Sequence, residues 1–226
     1  EITVSGTVTG DVIGDNMSGD GVSGKDLITV SGIVQGDVIG DKSGGHGARD
    51  TIYISGTVHN VVGDGVDGQG RIDEITIASS GVVTGSLSGD NLGRTGLVGS
   101  HDIILIQGTV QGDVVGDQTH KKGGDDEITV AGKNAVINGE IAGDDTNKHG
   151  GDDVIIIRNQ ATVNNAIKGD KATLNGGDDT IKIWNATVNS RIVGDAANGH
   201  GGDDLIVIGT GSVVTGAVNG DAVNGN

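Results

Sequence analysis

The chain has 226 residues, 45 of them Gly, with no Pro, Cys or Phe, one Trp, one Tyr and a formal net charge of −17. Absence of Cys removes disulfides and thiolate metal sites, and the acidic balance excludes nucleic acid and anionic membrane surfaces as partners, since both require basic patches. No apolar run is long enough to insert in a membrane as a helix.

From the first residues onward one unit recurs nine times. An Ile opens each copy, at Ile2, Ile28, Ile52, Ile75, Ile104, Ile128, Ile155, Ile181 and Ile206, with Val or Ile two residues later. A Val follows, at Val8, Val34, Val58, Val83, Val110, Val136, Val163, Val188 and Val214. Then comes Gly-Asp, whose Asp is Asp15, Asp41, Asp64, Asp90, Asp117, Asp144, Asp170, Asp195 and Asp221. A fixed period in this range signals stacked repeats. Ile-x-Val has period 2, so both branched side chains point to one face of a short strand. Strands this short bury a core only by stacking on their own copies. The expected fold is therefore all-β, a parallel β-solenoid (β-helix) of nine coils of about 25 residues with three short strands per coil. At about 4.8 Å per coil the rod is roughly 45 Å long. No segment has helical period, and each Gly would weaken a helix by about 1 kcal/mol. The repeat leaves no place for a boundary, so residues 1–226 form a single domain.

Along the chain, coils one to four (residues 1–102) have irregular loops after Gly-Asp, whereas coils five to nine (residues 103–226) carry Gly-Gly-Asp-Asp loops. From the Gly-Asp carboxylate to the Asp opening the next coil is nine residues in six of eight loops; the others are eleven (Asp15 to Asp26) and twelve (Asp90 to Asp102). A polar loop of held length is a candidate site. No divergent repeat covers either end, and open solenoid ends expose strand edges. The expectation is either a segment of a longer solenoid or ends that stack on other copies, a homo-polymer formed by head-to-tail coil stacking.

Stacking sets Asp125, Asp152, Asp178 and Asp203 in one column and Asp126, Asp153, Asp179 and Asp204 in the next. Like charges about 4.8 Å apart repel by roughly 1 kcal/mol in water and about 3.5 kcal/mol at an effective dielectric of 20. A cation must neutralise them. Ca2+ suits, because it takes about six to eight oxygen ligands and accepts backbone carbonyls among them. Asp144, Asp170 and Asp195 of the same coils complete the candidate ligand set. In coils one and two Lys25 and Arg49 replace the first Asp of the pair, and in the next two Ile72 and His101 do. Metal sites are therefore expected between coils five and nine, with Asp15, Asp41 and Asp64 capping turn amides. Asn164 and Asn189 are expected to stack as an amide ladder.

The loop segments Gly199-His200-Gly201-Gly202-Asp203-Asp204-Leu205-Ile206 and Gly176-Gly177-Asp178-Asp179-Thr180-Ile181 resemble the second half of the calcium-binding nonapeptide of the repeats-in-toxin (RTX) family, and Gly44-Gly45-His46-Gly47-Ala48-Arg49-Asp50 approaches it. That family's roll has two such turns in about 18 residues, this chain one in roughly 25. The resemblance implies calcium held between successive turns and a chain exported to the medium or bacterial cell surface. The function this suggests is an extracellular structural subunit of a surface fibre, sheath or matrix; the alternative is a stalk segment of a large calcium-dependent adhesin. Catalysis is not expected, because a carboxylate pair can be drawn anywhere among so many Asp and no Ser/His/Asp constellation stands out. Ice binding is disfavoured because Tyr53 and Leu105 interrupt the Thr3, Thr29, Thr76 and Thr129 column.

Overall fold

The computed structural model describes residues 1–93 and 98–222, so the middle of the coil-four loop and the last residues of the coil-nine tail lie outside the described residues. Coil one contributes strands Ile2–Val4, Thr7–Val8 and Val12–Met17, and coil eight contributes Thr180–Trp184, Thr187–Val188 and Ile192–Ala197. Every coil repeats this trio, and the strands stack into three nine-stranded parallel sheets. No helix occurs among the described residues.

The Ile column of the first sheet stays in register from Ile2↔Ile28 at one end to Ile181↔Ile206 at the other. Each Ile therefore packs on an identical neighbour above and below. Ile28, Ile52, Ile128 and Ile155 are fully buried, as are Val110, Val163 and Val188 of the second sheet and Val114, Ile141 and Ile192 of the third. At about 1.5–3 kcal/mol per fully buried aliphatic side chain, these ladders are the main favourable term, without aromatic packing. Their β-branching suits the pleated surface and disfavours helix.

One column needs correction. In coil six it is Ile137, not Val136, that joins Val110 and Val163 inside, while Val136 pairs with Thr109 and Thr162 on the outer face. The corner before it is longer than in coil five, and Gly132 turns there at a φ of 107°. Extra corner residues shift the alternation by one, and a one-residue shift exchanges the two faces of a strand.

Candidate metal centre: a file of buried carboxylates

The third-sheet strands run through Gly-Asp, and their register aligns the Asp carboxylates along the rod: Asp15↔Asp41, Asp41↔Asp64, Asp64↔Asp90, Asp90↔Asp117, Asp117↔Asp144, Asp144↔Asp170 and Asp170↔Asp195. A second column faces it from the loop. There the backbone N–H of each Asp donates to Oδ1 of its counterpart in the next coil, from Asp26 to Asp50 (2.7 Å), Asp102 to Asp126 (2.6 Å), Asp126 to Asp153 (2.6 Å) and Asp179 to Asp204 (2.9 Å).

In most of these carboxylates the two oxygens have separate tasks, whereas Asp170 and Asp195 accept backbone amides on both. In the Gly-Asp column Oδ2 caps a loop amide, accepting from Ala48 N–H on Asp41 (2.7 Å), Arg71 on Asp64 (2.8 Å), Gly124 on Asp117 (2.6 Å) and Gly151 on Asp144 (2.7 Å). This bond reaches seven residues along the loop and fixes its length. The expected capping role of Asp15, Asp41 and Asp64 is thus present, Asp15 accepting from Gly24 N–H at 2.6 Å. The other oxygen does something else. Oδ1 of Asp41, Asp64, Asp90, Asp117 and Asp144, and Oδ2 of Asp50, Asp73, Asp102, Asp126 and Asp153, are buried with no hydrogen-bond partner.

These orphaned oxygens converge. Asp15, Asp26 and Asp41 form one group, followed by Asp41, Asp50 and Asp64; Asp64, Asp73 and Asp90; Asp90, Asp102 and Asp117; Asp117, Asp126 and Asp144; and three more, with ligand atoms within 4.8 Å of one another in each. Gly-Asp carboxylates are shared by successive groups, so the groups form a continuous file. Glycine makes room for it: a Cβ on Gly143 would strike the Asp153 carboxylate, and one on Gly123 the Asp144 carboxylate.

Buried unpaired anions at this spacing cost several kcal/mol each, and buried polar atoms lacking a partner call for an unseen ion or water. Desolvation is the leading cause that pushes the carboxyls up from their ordinary value near 3.8, Asp41 to about 6, Asp50 and Asp102 to about 7 and Asp64 to about 9. Neighbouring carboxylates add to the shift at Asp90, Asp126 and Asp144, which lie well above the ordinary range. Among the described residues the ion pair that reaches the file is that of the Glu1 amine, 3.9 Å from Asp26. The donor set is all oxygen and anionic, which fits a hard divalent cation. Bound there, such an ion would neutralise the shared carboxylates.

The structure sorts the residues expected at the site. Asp126, Asp144, Asp153, Asp170, Asp179, Asp195 and Asp204 stand in the two inner columns, whereas Asp125, Asp152, Asp178 and Asp203 line up on the surface. There each carboxylate accepts the next backbone N–H, Asp152 on Asp125 (3.0 Å), Asp178 on Asp152 (2.9 Å) and Asp203 on Asp178 (2.8 Å). The groups also begin at the first coil boundary, rather than being confined to coils five to nine. The signal that carries the N-terminal half is the single Asp opening each coil (Asp26, Asp50, Asp73, Asp102), which Lys25, Arg49, Ile72 and His101 precede but do not replace. The amide ladder is present and extends further, Asn138 donating to Gln111 (2.6 Å), Asn164 to Asn138 (2.7 Å) and Asn189 to Asn164 (2.8 Å).

No protein-family model matches the chain, and no curated protein matches it. Among solved structures it is similar to a hyperactive, Ca2+-dependent, β-helical antifreeze protein from an Antarctic bacterium. The alignment covers 98% of this chain and 72% of that one, at 23% identity and a TM-score of 0.40. A score that low carries no argument about the site.

Proposed function

We propose that this chain is a non-catalytic extracellular structural protein of RTX type, a β-solenoid rod whose acidic interior is stabilised by calcium. The observation that carries the reading is the file of buried, unpartnered carboxylate oxygens running through the described coils. A surface fibre, sheath or matrix is the role such a rod fits, and a stalk segment of a larger adhesin uses the same property. Homo-polymerisation by coil stacking belongs to this proposal, since each internal pairing joins near-identical parallel strands in register. Folding would be triggered on reaching calcium-rich surroundings. Far-ultraviolet circular dichroism at neutral pH should show β structure lost on chelation and restored by calcium. Equal β content in both samples sinks the proposal. Electron microscopy of the calcium sample separates filaments from single rods.

A second reading, ice binding, is favoured by the second sheet rather than the first. Its outward column reads Thr7, Ile33, Thr57, Val82, Thr109, Val136, Thr162, Thr187 and Val213, a β-branched rank at one residue per coil. The Gln111-to-Asn189 amide ladder lies beside it. Strand spacing of about 4.8 Å makes this an evenly spaced array of methyls, hydroxyls and amides. Thermal hysteresis abolished by Thr162→Lys with Thr187→Lys would support it; no hysteresis in the unmodified calcium-loaded protein would remove it.

A further inference from the structure

On the outward side of the third sheet a groove of about 340 Å³ runs along the rod over coils two to six. Val62, Ser88 and Val115 stand in one register column on its floor. Asp37, Asp113 and Asp145 stand along its walls, and among the described residues no Lys or Arg lines it. Among the described residues each of these acids keeps an oxygen without a hydrogen-bond partner. Asp37 receives His59 and Asn60 on Oδ1 only, Asp113 receives Glu140 N–H on Oδ1, and Asp145 meets Lys171 through Oδ2.

Ser88 is the decisive residue. It is only 8% exposed, and strand alternation with core-facing Leu87 aims its side chain into the groove. Its hydroxyl makes no hydrogen bond among the described residues. Flanking strands place Val at the equivalent position, so a polar group at the bottom of this cleft is not required by the sheet. Ser88 is a largely buried residue whose hydroxyl opens onto the groove, and with three half-free carboxylates beside it the cleft offers acceptors to a donor-rich ligand.

We propose that this groove binds a linear aliphatic polyammonium chain of the polyamine class. Its methylenes lie over Val62 and Val115, its ammonium groups reach the free oxygens of Asp37, Asp113 and Asp145, and one N–H bonds Ser88 Oγ. A neutral polyol would leave the carboxylate charge unmatched, and an anion would be repelled. Asp37 in coil two and Asp145 in coil six are four coil steps of about 4.8 Å apart along the rod, roughly 19 Å, enough for an extended chain with several ammonium groups, while the apolar floor covers the middle two steps. The groove lies on the outer face, so its occupancy is separable from that of the carboxylate file.

The test is calorimetric titration of the calcium-saturated protein with spermidine at about 150 mM salt, where diffuse attraction to the surface charge is screened. Saturable one-to-one binding is expected. Ser88→Val, which keeps the charge and copies the neighbouring strands, should weaken it about tenfold, as should Asp113→Asn, the loss expected for a charge-assisted or buried hydrogen bond. Asp20→Asn removes an exposed acid away from the groove and should change affinity less than about twofold. Binding that ignores Ser88→Val, or that falls equally with Asp20→Asn, would show general polycation attraction and overturn the proposal, as would the absence of saturable heat. Circular dichroism of each variant confirms that the solenoid is intact.

Discussion

Stripped of calcium, the protein is expected to be folded near pH 4 and to unfold as the pH rises through about 6 to 7. The sign follows from burial. The inner carboxyls have folded-state values above their ordinary one, Asp41 about 6 and Asp50, Asp102 and Asp204 about 7. A group raised in this way contributes stability that is fully present below its unfolded value and is lost as the pH climbs through its folded value. Protons thus replace cations inside the file at low pH, and nothing replaces them at neutral pH. Calcium should flatten the profile, holding the fold at pH 7 to 8; on acidification protons displace the ion from the same oxygens and the fold persists in its protonated form. Circular dichroism against pH, with and without chelator, should give two curves that coincide near pH 4 and separate above about pH 6. A chelated protein that is most stable at neutral pH would contradict the arrangement of the file.

Replacing Asp126 by Asn is expected to have opposite effects with and without calcium, while Asp125→Asn beside it does little in either condition. Asp126 is buried; its Oδ1 accepts Asp102 N–H, and its Oδ2 meets Asp117 and Asp144 with no partner. Asn keeps the first contact and turns an N–H donor toward the two remaining carboxylates. In chelator this relieves repulsion of about 3.5 kcal/mol per close pair at an effective dielectric of 20, so the variant is more stable than the parent. In calcium it removes an anionic ligand, and the calcium midpoint for folding should rise about tenfold, equivalent to about 1.4 kcal/mol. Asp125 is exposed, and Asp125→Asn stays within about 0.5 kcal/mol in both. Thermal melts at several calcium concentrations decide it: a larger shift from Asp125→Asn would move the cation site to the surface column.

Much of the fold was legible because a solenoid is specified locally. Each coil repeats the same signals, Ile-x-Val or Ile-x-Ile, a following Val and Gly-Asp, with a loop Asp opening every coil after the first, and stacking only multiplies them. The nine-residue interval from Asp144 to Asp153 already implied that the loop is held, and the Asp144 Oδ2 bond to Gly151 N–H is what holds it. Where periodicity was interrupted, reading failed. Val136 and Ile137 are both branched and apolar, and only the length of the turn at Gly132 decides which one enters the core.

The site divides along the same line. The sequence by itself determined that carboxylates stack in columns, because identical positions in successive coils must lie about one strand spacing apart. It could not determine which column is inside. Asp125 and Asp126 are the same residue type one position apart, and a one-residue step in extended chain reverses the direction of a side chain. Tertiary structure made that choice by curling the loop back over the end of the third sheet. The curl places Asp126 against Asp117 and Asp144 with one oxygen unsatisfied, and leaves Asp125 in water. It is the contrast in desolvation between two adjacent, chemically identical groups that makes one a ligand in waiting and the other a surface charge.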